Sequence, residues 1–258
     1  MLSSLKFQKL NQSLKDYKKN FLDKPLGELD ESGTRLLINH FLTEILGYKT
    51  LEEIKTEYMI KGTYADYVVQ LAGEKHFLVE VKALSLNLSD KHLRQSINYG
   101  ANEGIDWVLL TNGKEFQLYR VIFEKPISQE LVFSLNLSDL SNLKSISEQL
   151  QFLHRDSVIK GGLEVLWNRN TALSPKQLTK ILFSSEVVSF VQKELKKKFN
   201  IKFDEAHIEK ALKRIAMEKI EINEFKSLQK KERKKRLQSE KTNTDSTEIN
   251  NTPEQLNG

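Results

Sequence analysis

The segment that decides the fold is ADYVVQLAGEKHFLVEVKA, residues 65–83. On both sides of Gly73 its apolar residues occupy every second position, which is the pattern of a β-hairpin with one face in the core. A loop of three or five residues centred on Gly73 places Asp66 opposite Glu80. The core face then carries Tyr67, Val69, Leu71, Phe77, Val79 and Val81. A slip of one residue would break this match between the strands, so the alternation favours a single register.

The opposite face of the same hairpin carries two acids and a base, namely Asp66, Glu80 and Lys82. Directly opposed side chains lie about 5 Å apart at Cβ, so the two carboxylates would repel each other, and burial would increase the repulsion. A divalent cation removes that conflict, and oxygen ligands of this kind suit Mg²⁺. Lys82 beside the cation could orient a water molecule or stabilise negative charge in a transition state. In outline, the arrangement predicts a site for phosphodiester hydrolysis.

A second interpretation of the same residues is a solvated sheet face, on which charges commonly alternate with apolar residues. The run Val-Glu-Val-Lys at residues 79–82, taken alone, is more often explained in that way. The presence of Asp66 in the matching register is the observation that favours a functional site.

The residues around the hairpin predict an α/β layer. Helices are expected over 1–24, 30–48 and 88–104, and further strands over 53–60, 106–123 and 129–135. Asp30 is a plausible N-cap, and Gly47 is a natural end for the second helix. The apolar stripes of the first two helices are Leu5, Leu10, Leu14, Tyr17 and Phe21, followed by Leu36, Leu37, Phe41, Ile45 and Leu46. Together these elements predict one α/β domain over residues 1–137.

The rest of the chain is predicted to be helical and then disordered. A helical extension is expected over 138–225, and a basic, then polar and disordered tail over 226–258. Ser174 and Pro175 have the pattern of a helix start. The extension is interpreted as a docking module, a DNA-binding accessory or a support for the sheet. Its lysine-rich stretches would attract phosphates without sequence preference, unless they are simply a solvated helix face.

Composition narrows the class of protein. The 258 residues carry a formal net charge of +5, with 39% hydrophobic and 29% charged residues, as in soluble globular proteins. The mild basic excess permits a polyanionic partner such as nucleic acid. The absence of cysteine excludes disulfides, thiolate metal sites and cysteine nucleophiles. Without a signal-like or membrane-length apolar run, the sequence predicts a soluble cytoplasmic protein with no membrane partner.

Four stretches of the sequence resemble a known nuclease family in their order and spacing. They are ESGTRLLINHFLTEILGY (31–48), TYADYVVQLAG (63–73), FLVEVKAL (77–84) and LRQSINYGANEGIDWVLLTNGKEFQLYRV (93–121). Over about residues 28–123 the chain resembles the N-terminal nuclease domain of type I restriction enzyme R subunits, a branch of the PD-(D/E)xK superfamily. The resemblance implies a restriction-endonuclease-like α/β core, a mixed central sheet flanked by helices, here followed by the helical extension. It also implies a DNA nuclease that uses Mg²⁺ or Mn²⁺.

The resemblance assigns a metal site and a catalytic lysine. Asp66 matches the metal-binding aspartate, and Glu80 and Lys82 match the E-x-K pair as metal ligand and catalytic lysine. Glu31 matches a helix-borne glutamate near the metal, although any acid is favoured in a first helical turn. The family's aspartate often follows proline, whereas Ala65 precedes it here, which changes no ligand.

The resemblance also implies a role for the helix that follows the hairpin. Gln95 and Tyr99 match a Gln-x-x-x-Tyr motif and would position substrate, with Gln95 close to the chemistry. Their alternative interpretation is a half-exposed helical pair. Structural roles are predicted for Thr111-Asn112-Gly113 and for Tyr119. The five histidines show no metal-ligand spacing and are treated as ordinary.

One departure from the family concerns its ATP-driven motor. Gly113-Lys114 is the only Gly-Lys pair in the sequence, and Glu115 follows it, so there is no P-loop and no nucleotide cofactor is expected. The expectation is a stand-alone Mg²⁺-dependent endodeoxyribonuclease with DNA as its partner. The alternatives are a non-catalytic nucleic-acid-binding or adaptor protein, and a subunit that cleaves only when docked to a separate motor or specificity protein.

Overall fold

The computed structural model describes residues 1–24, 29–60 and 63–217 of the chain. It divides into two compact units, Met1–Leu173 and Ser174 onward. The helices of the first unit are α1 Ser4–Tyr17, α2 Glu31–His40, α3 Arg94–Glu103, α4 Leu143–Leu150, α5 Arg155–Val158 and α6 Gly162–Ala172. Its strands are β1 Ile54–Ile60, β2 Thr63–Leu71, β3 Glu74–Val81, β4 Trp107–Thr111, β5 Glu115–Ile122 and β6 Ser128–Asn136. The predicted strands are therefore confirmed. The three predicted N-terminal helices are confirmed as shorter α-helices: π-helical segments, Lys18–Leu22 and Phe41–Ile45, continue α1 and α2, and a 3-10 segment, Asp90–Leu93, precedes α3.

Within the described ranges, the strands form one six-stranded mixed sheet in the order β1-β2-β3-β4-β5-β6. Every neighbouring pair is antiparallel except β3 and β4, which run parallel with Glu80 beside Leu110. Two parallel neighbours need a crossover, and α3 supplies it between them. The mixed α/β architecture agrees with the sequence-based prediction.

The hairpin of β2 and β3 has the predicted register but a different turn. Tyr67 pairs with Val79 and Val69 with Phe77, as expected. The turn is two residues long, however, with Ala72 and Gly73 both at positive φ, 50° and 83°. Such a turn alone would pair the strands one residue out of step, and a bulge between Val69 and Gln70 corrects the difference.

A large hydrophobic core lies on one face of the sheet. The predicted core residues of the hairpin all belong to it, namely Tyr67, Val69, Leu71, Phe77, Val79 and Val81. Side chains of α1, of α2 and of the π-helical segment after α2 cover this face, including Leu14, Tyr17 and Phe41. The predicted stripes were wrong at Leu5 and Leu36, which are 77% and 75% exposed. Leu36 precedes the buried Leu37 by one residue, about 100° around the helix, and therefore faces away from the sheet.

A second, smaller core covers the opposite face of the sheet. It contains Val68 and Leu78 of the hairpin together with Leu93, Tyr99 and other residues contributed by β4, β5 and the region of α3. Both faces of β3 are therefore buried, and the interpretation of residues 79–82 as part of a solvated face does not hold. Glu80 lies on this second face, among apolar neighbours.

The first unit continues beyond the domain boundary that was predicted at residue 137. Side chains of α4, α5 and α6 join the large core, among them Leu150, Val158 and Leu166. Polar contacts across more than 100 residues fix the same segment. Arg155 donates to both carboxylate oxygens of Glu53, with Nε at 2.8 and 2.7 Å and Nη2 at 2.6 Å. Part of the predicted extension thus acts as a support for the sheet.

The second unit consists of helices within the described part of the chain. They are α7 Pro175–Leu182, α8 Ser185–Phe199 and α9 Glu205–Met217, around a small core of Val188, Ile208 and Leu212. Ser174 caps α7 and Pro175 is its first residue, as predicted. A second cap at Ser184 divides the predicted long helix. The predicted basic and disordered tail over 226–258 lies outside the described residues. None of the described helices is long and apolar enough to span a membrane.

The Glu53–Arg155 pair gives the first testable prediction. Glu53 is only 6% exposed, so Arg155→Met leaves a buried carboxylate without its counter-charge. We expect the free energy of unfolding to fall by about 3 kcal/mol, as measured by urea denaturation. Lys144→Met is the matched control, because Lys144 pairs with Glu148 at 4.0 Å on an exposed helix surface, and its loss should be under about 0.5 kcal/mol. Equal losses in the two variants would contradict the assigned role of the buried pair.

Candidate active site

Glu80 is the buried centre of the candidate site. Its side chain is 7% exposed, and it lies near the carboxyl end of β3. Its Oε1 lies 2.6 Å from the ammonium of Lys82, and its Oε2 accepts a 2.7 Å hydrogen bond from the hydroxyl of Ser96 on α3. Burial raises the pKa of Glu80, and the contacts with Lys82 and Ser96 only partly oppose that effect. The ionised form of this carboxylate therefore depends on its two partners.

Lys82 follows the last residue of β3 and remains tied to the sheet. Its N–H donates to the carbonyl of Thr111 at 2.9 Å. Besides Glu80, its ammonium lies 3.6 Å from Oε2 of Glu31. Burial lowers the pKa of Lys82, but the hydrogen bond and charge of Glu80, with the charges of Glu31 and Asp66, outweigh this and raise it. Lys82 is thus a protonated, positively charged group at neutral pH, with little capacity to act as a base.

Asp66 lies on β2, beside the end of β3. Its side chain is 10% exposed. Tyr67 of β2 pairs with Val79 of β3, and beyond this pair the Oδ2 of Asp66 accepts a 2.7 Å hydrogen bond from the N–H of Val81. Its Oδ1 lies 2.6 Å from Nη2 of Arg35 on α2. Both oxygens of this carboxylate are therefore engaged by donors that stabilise its charge.

The N-terminal half of α2 completes the cluster. Asp30 caps the helix by accepting the N–H of Gly33 at 2.7 Å, as predicted. Glu31 then occupies the first turn, and its Oε1 lies 3.1 Å from Nη2 of Arg35. Tyr67 donates its hydroxyl to the carbonyl of Arg35 at 2.6 Å and thereby ties α2 to β2. Burial, with the charge of neighbouring Asp66, raises the pKa of Tyr67 to about 12, so the hydroxyl keeps its proton as a donor.

These contacts form one chain of alternating charges. Arg35 bridges Asp66 and Glu31, and Lys82 bridges Glu31 and Glu80. The chain holds three carboxylates and two cations, which leaves one excess negative charge when all are ionised. The structure thus brings Asp66, Glu80, Lys82 and Glu31 together, as the sequence predicted, and adds Arg35.

The predicted set of metal ligands is not assembled in this conformation. Within 1–24, 29–60 and 63–217, no group of three histidine or acidic side chains is placed to hold a metal ion. The physical reason is that Arg35 and Lys82 bridge the carboxylates that would otherwise converge. Any shared ion would have to displace at least one of these two cations.

The predicted substrate-positioning pair divides between surface and core. Gln95 is exposed on the first turn of α3. Tyr99, in contrast, is fully buried in the core formed with Leu78 and Leu93. Direct contact between Tyr99 and a substrate is incompatible with that burial, so this prediction is corrected. The interpretation as a half-exposed pair was also wrong, because one member is exposed and the other is core.

Sequence reasoning missed two residues of the site. Ser96 is 1% exposed and donates to Glu80. The Gln-x-x-x-Tyr motif includes its neighbour Gln95 but not Ser96. The local sequence does not distinguish a serine that donates to a carboxylate from one that only packs in the core, so this role of Ser96 could not be predicted. Arg35 lies in the stretch ESGTRLLINHFLTEILGY (31–48) that carries the resemblance, but no role was predicted for it. An arginine four residues after a glutamate on a helix was a usable signal for an ion pair.

The turn at Thr111-Asn112-Gly113 and the residue Tyr119 have the structural roles that were predicted for them. The hydroxyl of Thr111 donates to the carbonyl of Glu115 at 2.7 Å, and the Oδ1 of Asn112 accepts two backbone N–H groups of the same turn. Tyr119 packs in the smaller core and donates to Asp90 or Gln117. Burial and the neighbouring Asp90 raise the pKa of Tyr119 to about 12.

Comparison with known proteins places the site within a family segment. Residues 30–132 match the family described as type I restriction enzyme R protein N terminus (HSDR_N). The match includes Glu31, Arg35, Asp66, Glu80 and Lys82, and it covers less than half of the chain. The predicted resemblance is thereby confirmed, and this segment is nuclease-related.

Neither the comparison with curated proteins nor that with solved structures gave a match. The PD-(D/E)xK assignment of the mixed α/β core thus stays a prediction.

The raised pKa of Glu80 predicts a pH dependence of stability. A carboxyl whose pKa is higher in the folded state contributes stability below its ordinary pKa of 4.5, and this is lost as the pH rises through the folded value. Relative to Glu80→Gln, which does not titrate, the wild type should lose stability from about pH 4 upward. Thermal midpoints of both proteins, measured with chelator between pH 4 and 8, test this.

The slope of that difference is the informative quantity. The Gln variant also loses the ion pair with Lys82, so the test uses the change of the difference with pH and not its size at one pH. Glu52→Gln is the control, since Glu52 is 70% exposed and the variant should parallel the wild type. A difference between wild type and Glu80→Gln that is flat with pH would contradict the raised pKa of Glu80.

Proposed function

We propose that this protein hydrolyses phosphodiester bonds of DNA in a reaction that requires Mg²⁺ or Mn²⁺. The observation that supports it most directly is the cluster of Asp66, Glu80 and Lys82 at one end of β2 and β3. Charged residues are seldom buried without a function or a strong structural need. The family match of residues 30–132 supports the same class of reaction.

The residues present fit a divalent cation in their chemistry. Asp66 and Glu80 offer carboxylate oxygens from adjacent strands, and Glu31 offers a third from a more exposed position, with its side chain 41% exposed. Oxygen ligands of this kind suit Mg²⁺ and Mn²⁺. The raised pKa of Glu80 points the same way, because a cation at this carboxylate stabilises its ionised form. When bound, such an ion polarises a phosphoryl oxygen and lowers the pKa of a coordinated water.

Each residue of the chain would have a separate role in that reaction. Asp66 and Glu80 would hold the ion, with Glu31 as a third carboxylate ligand. Lys82, which is protonated, stabilises the negative charge that develops on the phosphate. Gln95, exposed nearby on α3, donates a hydrogen bond to substrate or water. Ser96 positions Glu80 through its hydroxyl and does not contact substrate.

A non-catalytic role in nucleic-acid binding is the second candidate function. It is favoured by one specific observation, the engagement of Asp66 and Glu80 by internal donors. Arg35, Lys82, Ser96 and the N–H of Val81 occupy their oxygens without any added ion. On this alternative the protein is an adaptor that binds DNA on a nuclease-like scaffold, alone or beside a motor or specificity subunit.

Plasmid cleavage distinguishes the two functions. Purified wild type should nick or linearise supercoiled DNA with Mg²⁺ or Mn²⁺ and not with chelator. Glu80→Ala and Lys82→Ala should each lose about a hundredfold or more of the rate, since each removes a charge aimed at the reaction. Glu52→Ala is the control. It removes an exposed carboxylate in the segment before β1 and should keep full activity.

Two results would count against the nuclease. Cleavage that persists in Glu80→Ala and Lys82→Ala preparations would assign the activity to another site or protein. DNA binding without cleavage under any divalent cation, unchanged in Asp66→Ala, would support the adaptor.

A further inference from the structure

We propose that Arg35 exchanges partners during the reaction: it neutralises Asp66 in the absence of metal, and it binds a DNA phosphate once a divalent cation has taken that carboxylate. The inference rests on the proposed nuclease function and adds a substrate-binding residue to it. It also makes metal binding and DNA binding depend on each other.

The position of the guanidinium favours such an exchange. A single nitrogen, Nη2, lies 2.6 Å from Oδ1 of Asp66 and 3.1 Å from Oε1 of Glu31. The Arg35 side chain is 32% exposed, compared with 10% for Asp66. The cation therefore lies on the solvent side of the buried carboxylate, where an anion from outside can reach it.

The backbone around Arg35 does not have to move for the exchange. The carbonyl of Arg35 accepts the 2.6 Å hydrogen bond from Tyr67, the residue next to Asp66. The middle of α2 is thus held to β2 by a contact independent of the guanidinium. Only the side-chain torsions of Arg35 have to change, which is a fast motion with a small energetic cost.

Asp66 cannot bind Arg35 and a divalent cation at the same time, for electrostatic reasons. A divalent cation on Asp66 and a guanidinium 2.6 Å from the same oxygen would repel each other. A guanidinium displaced from Asp66 can bind a phosphate, which offers the same forked geometry as a carboxylate. A DNA phosphate at this place thereby raises the affinity for the cation, and by linkage the cation raises the affinity for DNA by the same factor.

Lys82 is the less suitable residue for this exchange. Its side chain is 17% exposed and contacts both Glu80 and Glu31. The more exposed Arg35 is therefore the cation that an incoming phosphate meets first.

Calorimetric titration of Mn²⁺ tests the proposal without using activity. Arg35→Gln removes the competing charge but keeps an amide that can donate to Asp66. Its Mn²⁺ affinity should rise about fivefold to tenfold above that of the wild type. Arg35→Lys keeps the charge, so its Mn²⁺ affinity should match the wild type. Lys49→Gln is the control for net charge, because Lys49 is 59% exposed and pairs with the exposed Glu52.

The second arm measures binding of a short labelled DNA duplex by fluorescence anisotropy, at low temperature with and without Mn²⁺. In the wild type Mn²⁺ should increase DNA affinity about fivefold or more. This Mn²⁺-dependent gain in DNA affinity should vanish in Arg35→Gln. It should be smaller in Arg35→Lys, because an ammonium lacks the paired N–H donors with which a guanidinium binds a phosphate. If Arg35→Gln does not fold, as judged by circular dichroism, Arg35→Lys decides: an undiminished gain overturns the proposal.

The outcomes separate this inference from the function it rests on. Mn²⁺ binding in the wild type with equal or weaker binding in Arg35→Gln would overturn the exchange and leave the nuclease intact. Tighter Mn²⁺ binding in both Arg35→Gln and Lys49→Gln would show a net-charge effect, which also overturns it. No Mn²⁺ binding to any of the proteins, with or without DNA, would remove both the exchange and the proposed metal-dependent function.

Discussion

The register of β2 against β3 is the constraint on which the rest of the structure depends. Both faces of β3 are buried, so a slip of one residue would move Glu80 into the large apolar core and Val79 into the site. The two-residue turn at Ala72 and Gly73 would impose that slip, and the bulge after Val69 prevents it. A local irregularity of the backbone thus decides whether Asp66 and Glu80 lie on the same side of the sheet.

The position of Glu80 creates a second constraint. Both faces of β3 are buried, so the negative charge of this carboxylate has to be compensated by nearby donors. Arg35, Lys82 and Ser96 supply that compensation from α2, from the end of β3 and from α3. Contacts within one small charged cluster thereby connect α2, β3 and α3, which are far apart in sequence. The raised pKa of Glu80 indicates that these contacts offset only part of the cost of burying the charge.

Much of this arrangement could be predicted from the sequence, because it follows from the alternation of apolar and polar residues along the strands. Period-two patterns located every strand, and the match of two such patterns placed Asp66, Glu80 and Lys82 together. Burial on the second face could not be predicted, since Tyr99 and Ser96 lie on a helix whose docking is a tertiary property. Helical patterning likewise left open what α4, α5 and α6 pack against. Besides the apolar side chains that they add to the large core, Arg155 binds Glu53, and no local pattern indicates a contact between residues 102 positions apart.

The charge state of Lys82 limits the chemistry that the proposed site can perform. A lysine with a depressed pKa could accept a proton from the attacking water, but the neighbours of Lys82 outweigh its burial and keep it protonated. Its contribution is therefore positive charge near the phosphate, the same kind of contribution that Arg35 would make after leaving Asp66. In the proposed reaction, the chain's own residues would thus supply two cations for the substrate and two or three carboxylates for an ion. Activation of the attacking water is then the contribution that a bound divalent cation would provide.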